Sequence, residues 1–82
     1  MAKFFYIYIL QSEFDAHRFY TGLTDDLRKR LRAHNAGRVL HTAKWRPWRL
    51  KAYMAVLDRV RAAKFERYLK SASGRAFVKK HL

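Results

Sequence analysis

The sequence predicts an α/β (α+β) fold: a small three-stranded antiparallel sheet flanked by three helices, in the order β-β-α-β-α-α. Three observations lead there. Aromatic and β-branched residues cluster in "FFYIYIL" (4–10), "RFYTG" (18–22) and "LKAYMAVL" (50–57), and such residues favour pleated, half-buried strands. Basic segments with helical spacing of leucine and alanine follow the second and third of these runs. Finally, the chain has 82 residues, half of them hydrophobic, which suffices for one core and one domain spanning residues 1–82. Elements of this kind are stable when the sheet is covered by helices.

Taken in order, the first run is a buried strand. Period two places Phe4, Tyr6, Tyr8 and Leu10 on one face and Phe5, Ile7 and Ile9 on the other. "QSEFDAH" (11–17) has turn composition, so "RFYTG" is expected to pair back as a hairpin. Gly22 then joins strand to helix, either to permit a close approach or positive φ, or as a simple turn residue. Thr24 is the expected N-cap, with Asp25 and Asp26 in the first helical turn where the dipole favours negative charge. The helix runs to about His34 and is stopped by Asn35-Ala36-Gly37. "RVLHTAKWRPWR" (38–49) is a loop whose Pro47 excludes regular helix. After the third strand, Asp58 caps a second helix reaching about Ser71. Ser73-Gly74 opens a last one, "RAFVKKHL".

Charge narrows the function. The net charge is +13, unevenly spread. Residues 1–27 carry two basic side chains against four acids, residues 28–51 carry nine basic side chains and no acid, and from 59 onward eight basic residues face Glu66 alone. Such a field attracts polyanions, nucleic acid before anionic membrane. The longest apolar run is far too short to span a bilayer, and Gln11-Ser12-Glu13 stands where a signal peptide would be cleaved. With no cysteine, disulfides and thiolate-bound zinc are excluded. The expected setting is the cytoplasm, without membrane attachment.

Helical spacing selects the candidate residues. At about 100° per residue from Leu27, Leu31 falls at about 40°, His34 at about 340° and Arg30 at about 300°. Arg30 and His34 therefore stand one turn apart at a margin of the apolar stripe, while Arg28, Lys29 and Arg32 point to solvent. Together with Lys44 and Arg46 these three are the expected nucleic-acid contacts. A guanidinium at that margin either reaches a groove beside the sheet, where its planar fork suits phosphate, or snorkels over the core edge. On the second helix Ala62, Phe65, Tyr68 and Leu69 form the buried face and Glu66 its margin. Glu66 either pairs with Lys70 at i,i+4 or holds a hard cation such as Mg²⁺, which takes few carboxylates and keeps its waters. Trp45 and Trp48 either stack on bases or cap the core, and one is expected buried and the other partly exposed.

The ordered set of motifs resembles the GIY-YIG nuclease superfamily. "YIY" (6–8), eleven residues, then "YTG" (20–22) is similar to its paired signature, with Tyr6 in place of the first glycine and Thr21 in place of isoleucine. Arg30, eight residues after Gly22, falls where that superfamily keeps a helical arginine, and "AAKFERYLK" resembles the helix supplying its glutamate. "GLTDDLRKRLRAHNAG", "WRPWRL" and "LKSASGRAFVKK" resemble the small stand-alone bacterial, YhbQ-like branch. The resemblance implies a metal-dependent endonuclease acting on structured or single-stranded DNA, in repair or recombination. Tyr8, Tyr20, Arg30 and His34 would be catalytic, and Glu66 would hold a single Mg²⁺ or Mn²⁺. The competing account of Tyr8 and Tyr20 is that of cross-strand neighbours with satisfied hydroxyls. The competing function is a nucleic-acid-binding module that keeps the fold without turnover, and DNA is a more natural partner than RNA in either case.

Overall fold

A computed structural model describes residues 3–82. Strand β1 (Phe5–Ser12) lies in the middle of the sheet, paired antiparallel with β2 (Phe19–Thr24) on one side and β3 (Trp48–Val56) on the other. Helix α1 (Leu27–Asn35) follows β2, a 3₁₀ turn (Ala43–Trp45) interrupts the long loop, and α2 (Arg59–Lys70) and α3 (Ala72–His81) follow β3. The predicted order and antiparallel sheet are both observed.

The alternation read in β1 builds two cores, one on each face of the sheet. Ile7 and Ile9 pack with Ala62, Leu69 and Val78 of α2 and α3. Tyr8 and Leu10 pack with Trp48, with Leu27 and Leu31 of α1 against them. One strand thus supplies four consecutive buried residues, Ile7 to Leu10. Each burial of this kind stabilises by about 1.5–3 kcal/mol. Tyr68, expected on the buried face of α2, is instead 44% exposed. Its ring stacks on Phe65 with centroids 6.0 Å apart at the margin of that face.

Three boundaries differ from those expected, and at the two helix starts a neighbouring polar residue caps in place of the expected one. Gly22 lies inside β2, opposite Tyr8, and not at the strand–helix junction. The N-cap of α1 is Asp26, not Thr24: its backbone is extended and its carboxylate accepts from the Lys29 amide at 3.0 Å. Thr24 Oγ1 is engaged with Asp26, accepting its N–H at 3.1 Å, so neither aspartate falls in the first helical turn. At the other end, Ser71 ends α2 and its hydroxyl accepts from the Gly74 amide, so α3 begins at Ala72 and Gly74 lies within it. A side chain at Gly74 would strike the Tyr68 carbonyl and Leu69 Cα. Close packing of α3 on the end of α2 therefore explains that glycine.

Asn35, the last residue of α1, fixes the helix to the sheet. Its amide donates to Trp48 O at 3.0 Å and accepts from Trp48 N at 2.6 Å. Trp48 is buried and its indole donates to Thr42 O at 2.8 Å, while Trp45 is half-buried. The expectation of one buried and one partly exposed tryptophan holds. Among the described residues no helix is long and apolar enough to cross a membrane.

Candidate active site

The site begins with a missing side chain. Because Gly22 carries no Cβ, the Tyr8 ring crosses over it, its hydroxyl and Cζ occupying the space that a β-carbon would need. Tyr8 thereby reaches the β2 edge of the sheet, where α1 delivers two partners. Arg30 Nε donates to Tyr8 Oη at 3.3 Å, and His34 Nε2 lies 2.9 Å from the same oxygen. The spacing of four between Arg30 and His34 puts both on the helix face that meets Tyr8.

His34 is fully buried, deeper than the margin position expected for it. The reason is that both ring nitrogens have partners: Tyr8 on one side and Thr42 Oγ1, 2.8 Å from Nδ1, on the other. Tyr20 closes the cleft, its ring centroid 4.9 Å from that of His34 and 6.3 Å from that of Tyr8. Arg30 stays half-buried, and among the described residues no carboxylate pairs with it. Its guanidinium is thus held at Tyr8 without a carboxylate counter-charge, an arrangement compatible with anion binding.

Glu66 approaches from α2. Its carboxylate is 16% exposed and pairs with Lys70 Nζ at 2.7 Å, so the predicted i,i+4 contact forms. Lys70 also stands 5.7 Å from the Tyr20 ring centre, which places this pair at the same cleft. Among the described residues no group of three or more His, Cys, Asp or Glu side chains could cage a metal. One sheltered hard-oxygen ligand nevertheless fits a single Mg²⁺ or Mn²⁺ that draws its other ligands from water and substrate phosphate. Such an ion has to share the carboxylate with Lys70 or displace it.

The electrostatics follow from burial. Desolvation raises the Tyr8 phenol above its ordinary pKa, outweighing the Arg30 hydrogen bond that lowers it. The resting cleft thus holds a neutral tyrosine; Arg30 alone does not generate tyrosinate. Burial first, and then the Arg30 charge, lower His34 from 6.5 to about 4. In the unfolded chain His34 binds a proton below its ordinary value, whereas the folded ring resists until about pH 4. Its contribution to stability is complete above pH 6.5, falls as pH drops through the window from 6.5 to 4, and is lost below it. Between pH 7.5 and 4.5 this amounts to about 2–3 kcal/mol. Urea unfolding at the two pH values should show that excess loss in the wild type and not in His34→Gln; equal losses would refute the assignment.

The residues expected to contact nucleic acid, Arg28, Lys29, Arg32, Lys44 and Arg46, are all exposed. Arg46 donates to Ala43 O at 2.7 Å and Lys44 lies 5.2 Å from the Trp45 ring centre, so the last two are partly committed to the loop. A concavity of about 530 Å³ at the end of α1 is lined by Leu31, Arg32, Asn35, Ala36 and Arg38, two of them basic. Thr42 and Lys70 are the two cleft residues that the sequence did not single out as functional. Lys70 was visible only as an ion-pair partner. Thr42 lies in an irregular loop, where no periodicity relates it to His34.

Aromatic hydroxyls, an unpaired guanidinium and one carboxylate on a basic edge suit phosphate chemistry better than binding of a small apolar ligand. The family model of the GIY-YIG catalytic domain matches residues 4–80, which include every residue of the cleft. The chain belongs to the GIY-YIG family, a family of nucleases. No curated protein and no solved structure shows a significant match to it.

Proposed function

We propose that this protein is a metal-dependent DNA endonuclease that hydrolyses phosphodiester bonds in structured or single-stranded DNA, with a role in repair or recombination. The observation that carries the reading is the Tyr8 hydroxyl held between Arg30 and His34, with Glu66 at the same cleft. The expected placement is in the small stand-alone bacterial branch. The exposed basic side chains of α1 and the following loop attract the strand, and Arg30 takes the non-bridging oxygens of the scissile phosphate. Its fork stabilises the charge that accumulates there in the transition state.

The attacking water lies against Tyr8 Oη. It gives a proton to that oxygen as the Tyr8 proton passes to His34 Nε2, in one concerted movement that never isolates the unfavourable tyrosinate. The water oxygen forms the new bond to phosphorus, the bond to the leaving sugar oxygen breaks, and that oxygen takes a proton from solvent. Phosphate paired with Arg30 also offsets the charge that lowers His34 basicity, so the relay is strongest with substrate in place. Tyr20 walls the cleft and hydrogen-bonds water or phosphate. A divalent ion on Glu66, when bound, supplies stabilisation of charge on the leaving oxygen.

One observation favours a second reading. Lys70 already neutralises Glu66, as in a nucleic-acid-binding module that has kept the fold without turnover. The two readings separate cleanly. The nuclease binds labelled DNA with affinity that falls steeply as salt rises, and cleaves it with Mg²⁺ or Mn²⁺ but not in EDTA. Salt-sensitive binding without cleavage in either metal would leave only the binding module.

A further inference from the structure

The hydrogen bonds around His34 form a single directional chain, and its direction is set at one end. An arginine Nε can only donate, so Tyr8 Oη accepts from Arg30 at 3.3 Å. The Tyr8 hydroxyl then has its own proton to place. Tyr8 is 1% exposed, and the acceptor at hand is His34 Nε2, 2.9 Å away. An Nε2 that accepts carries no proton, so in the neutral imidazole the proton is on Nδ1. Nδ1–H points to Thr42 Oγ1 at 2.8 Å, and Thr42 in turn donates its hydroxyl proton to Val39 O at 3.2 Å. Each of the three interior side chains, Tyr8, His34 and Thr42, accepts once and donates once along this chain. The reverse arrangement has both Arg30 and His34 donating to Tyr8 Oη, which leaves the buried phenol proton of the resting protein without a side-chain acceptor, an unfavourable state for a buried donor.

We propose that Thr42 is a positioning residue: by accepting the Nδ1 proton of His34 it holds the imidazole in the tautomer whose bare Nε2 takes the Tyr8 proton. The inference rests on the nuclease reading for its catalytic consequence, but the tautomer claim stands on the hydrogen bonds alone. The loop is built to keep Thr42 in place. The residue is 1% exposed, its carbonyl accepts the Trp48 indole N–H at 2.8 Å, and its amide donates to Val39 O at 3.1 Å. The loop between α1 and β3 therefore supplies the cleft with a group that neither tyrosine motif contains. When the proton arrives at Nε2, the imidazolium still has Thr42 to accept its Nδ1–H, so no buried donor is orphaned by the transfer.

The test reads the tautomer and the rate separately. Two-bond ¹H–¹⁵N correlation spectra at neutral pH report which ring nitrogen of His34 is protonated, in the wild type, Thr42→Ser and Thr42→Val. The wild type and Thr42→Ser should show Nδ1–H, and Thr42→Val should shift toward Nε2–H. With saturating DNA, Thr42→Val should lose roughly 100-fold in single-turnover cleavage, while its affinity for DNA is unchanged and Thr42→Ser retains most of the rate. A residue that merely braced the loop would alter stability or affinity without moving the tautomer. Nε2–H in the wild type, or Nδ1–H unchanged in Thr42→Val, overturns the proposal, and the wild-type spectrum decides it even should Thr42→Val not fold. A wild type that holds Nδ1–H but cleaves no DNA sinks the nuclease reading instead, and the spectra then decide the positioning claim by themselves.

Discussion

Gly22→Ala should lower DNA cleavage by at least roughly 100-fold while leaving the protein folded, because it moves one hydroxyl by a fraction of its own diameter. The added methyl would lie within the van der Waals envelope of Tyr8 Oη and Cζ. Tyr8 is fully buried and held by Arg30 and His34, so the ring cannot swing into solvent to make room. It has to slide, and the water it positions slides with it. Gly22 does not have positive φ; among the described residues Gly37 alone does. Close approach, not backbone freedom, is therefore what the position demands. Single-turnover cleavage beside a circular-dichroism melt measures both effects. A folded Gly22→Ala protein that cleaves at the wild-type rate would mean that Tyr8 is not where the water is activated.

Arg30→Ala is expected to be more damaging still, by about 1,000-fold in the rate at saturating DNA, the scale seen when a lone arginine or oxyanion donor is removed from a developing charge. DNA affinity should change little, since Arg30 is one of 19 basic residues, and most of the others are free to bind the backbone. Arg30→Lys should not restore the rate, because an ammonium offers a point charge where a fork spans Tyr8 and phosphate. A loss confined to affinity would make Arg30 one more member of the basic surface, without a role in the transition state.

The sequence showed the two faces of β1 directly, since period two put Tyr8 and Leu10 opposite Ile7 and Ile9, and the two cores follow that division. It showed Arg30 and His34 as neighbours because four residues make one helical turn. What it could not rank was competition among adjacent cap-formers. Thr24, Asp25 and Asp26 are all competent, as are Ser71 and Ser73, and the outcome depends on which backbone leaves the strand or helix first. Tyr68 fits the helical stripe by spacing, but Phe65 and Leu69 already fill the contact with the sheet. The family whose catalytic-domain model spans residues 4–80 is the one that the paired tyrosine motifs resemble. Thr42 escaped for a physical reason. Its relation to His34 passes through an eight-residue excursion of irregular chain, where neither helical nor strand periodicity fixes distance.

The most direct measurement is cleavage of end-labelled single-stranded, duplex and branched DNA by wild type, Arg30→Ala and Glu66→Ala purified identically, each with Mg²⁺, with Mn²⁺ and with EDTA. The account predicts wild-type cleavage that disappears in EDTA and in both variants, with DNA binding retained. Binding without cleavage by the wild type, or equal cleavage by all three proteins, would contradict it.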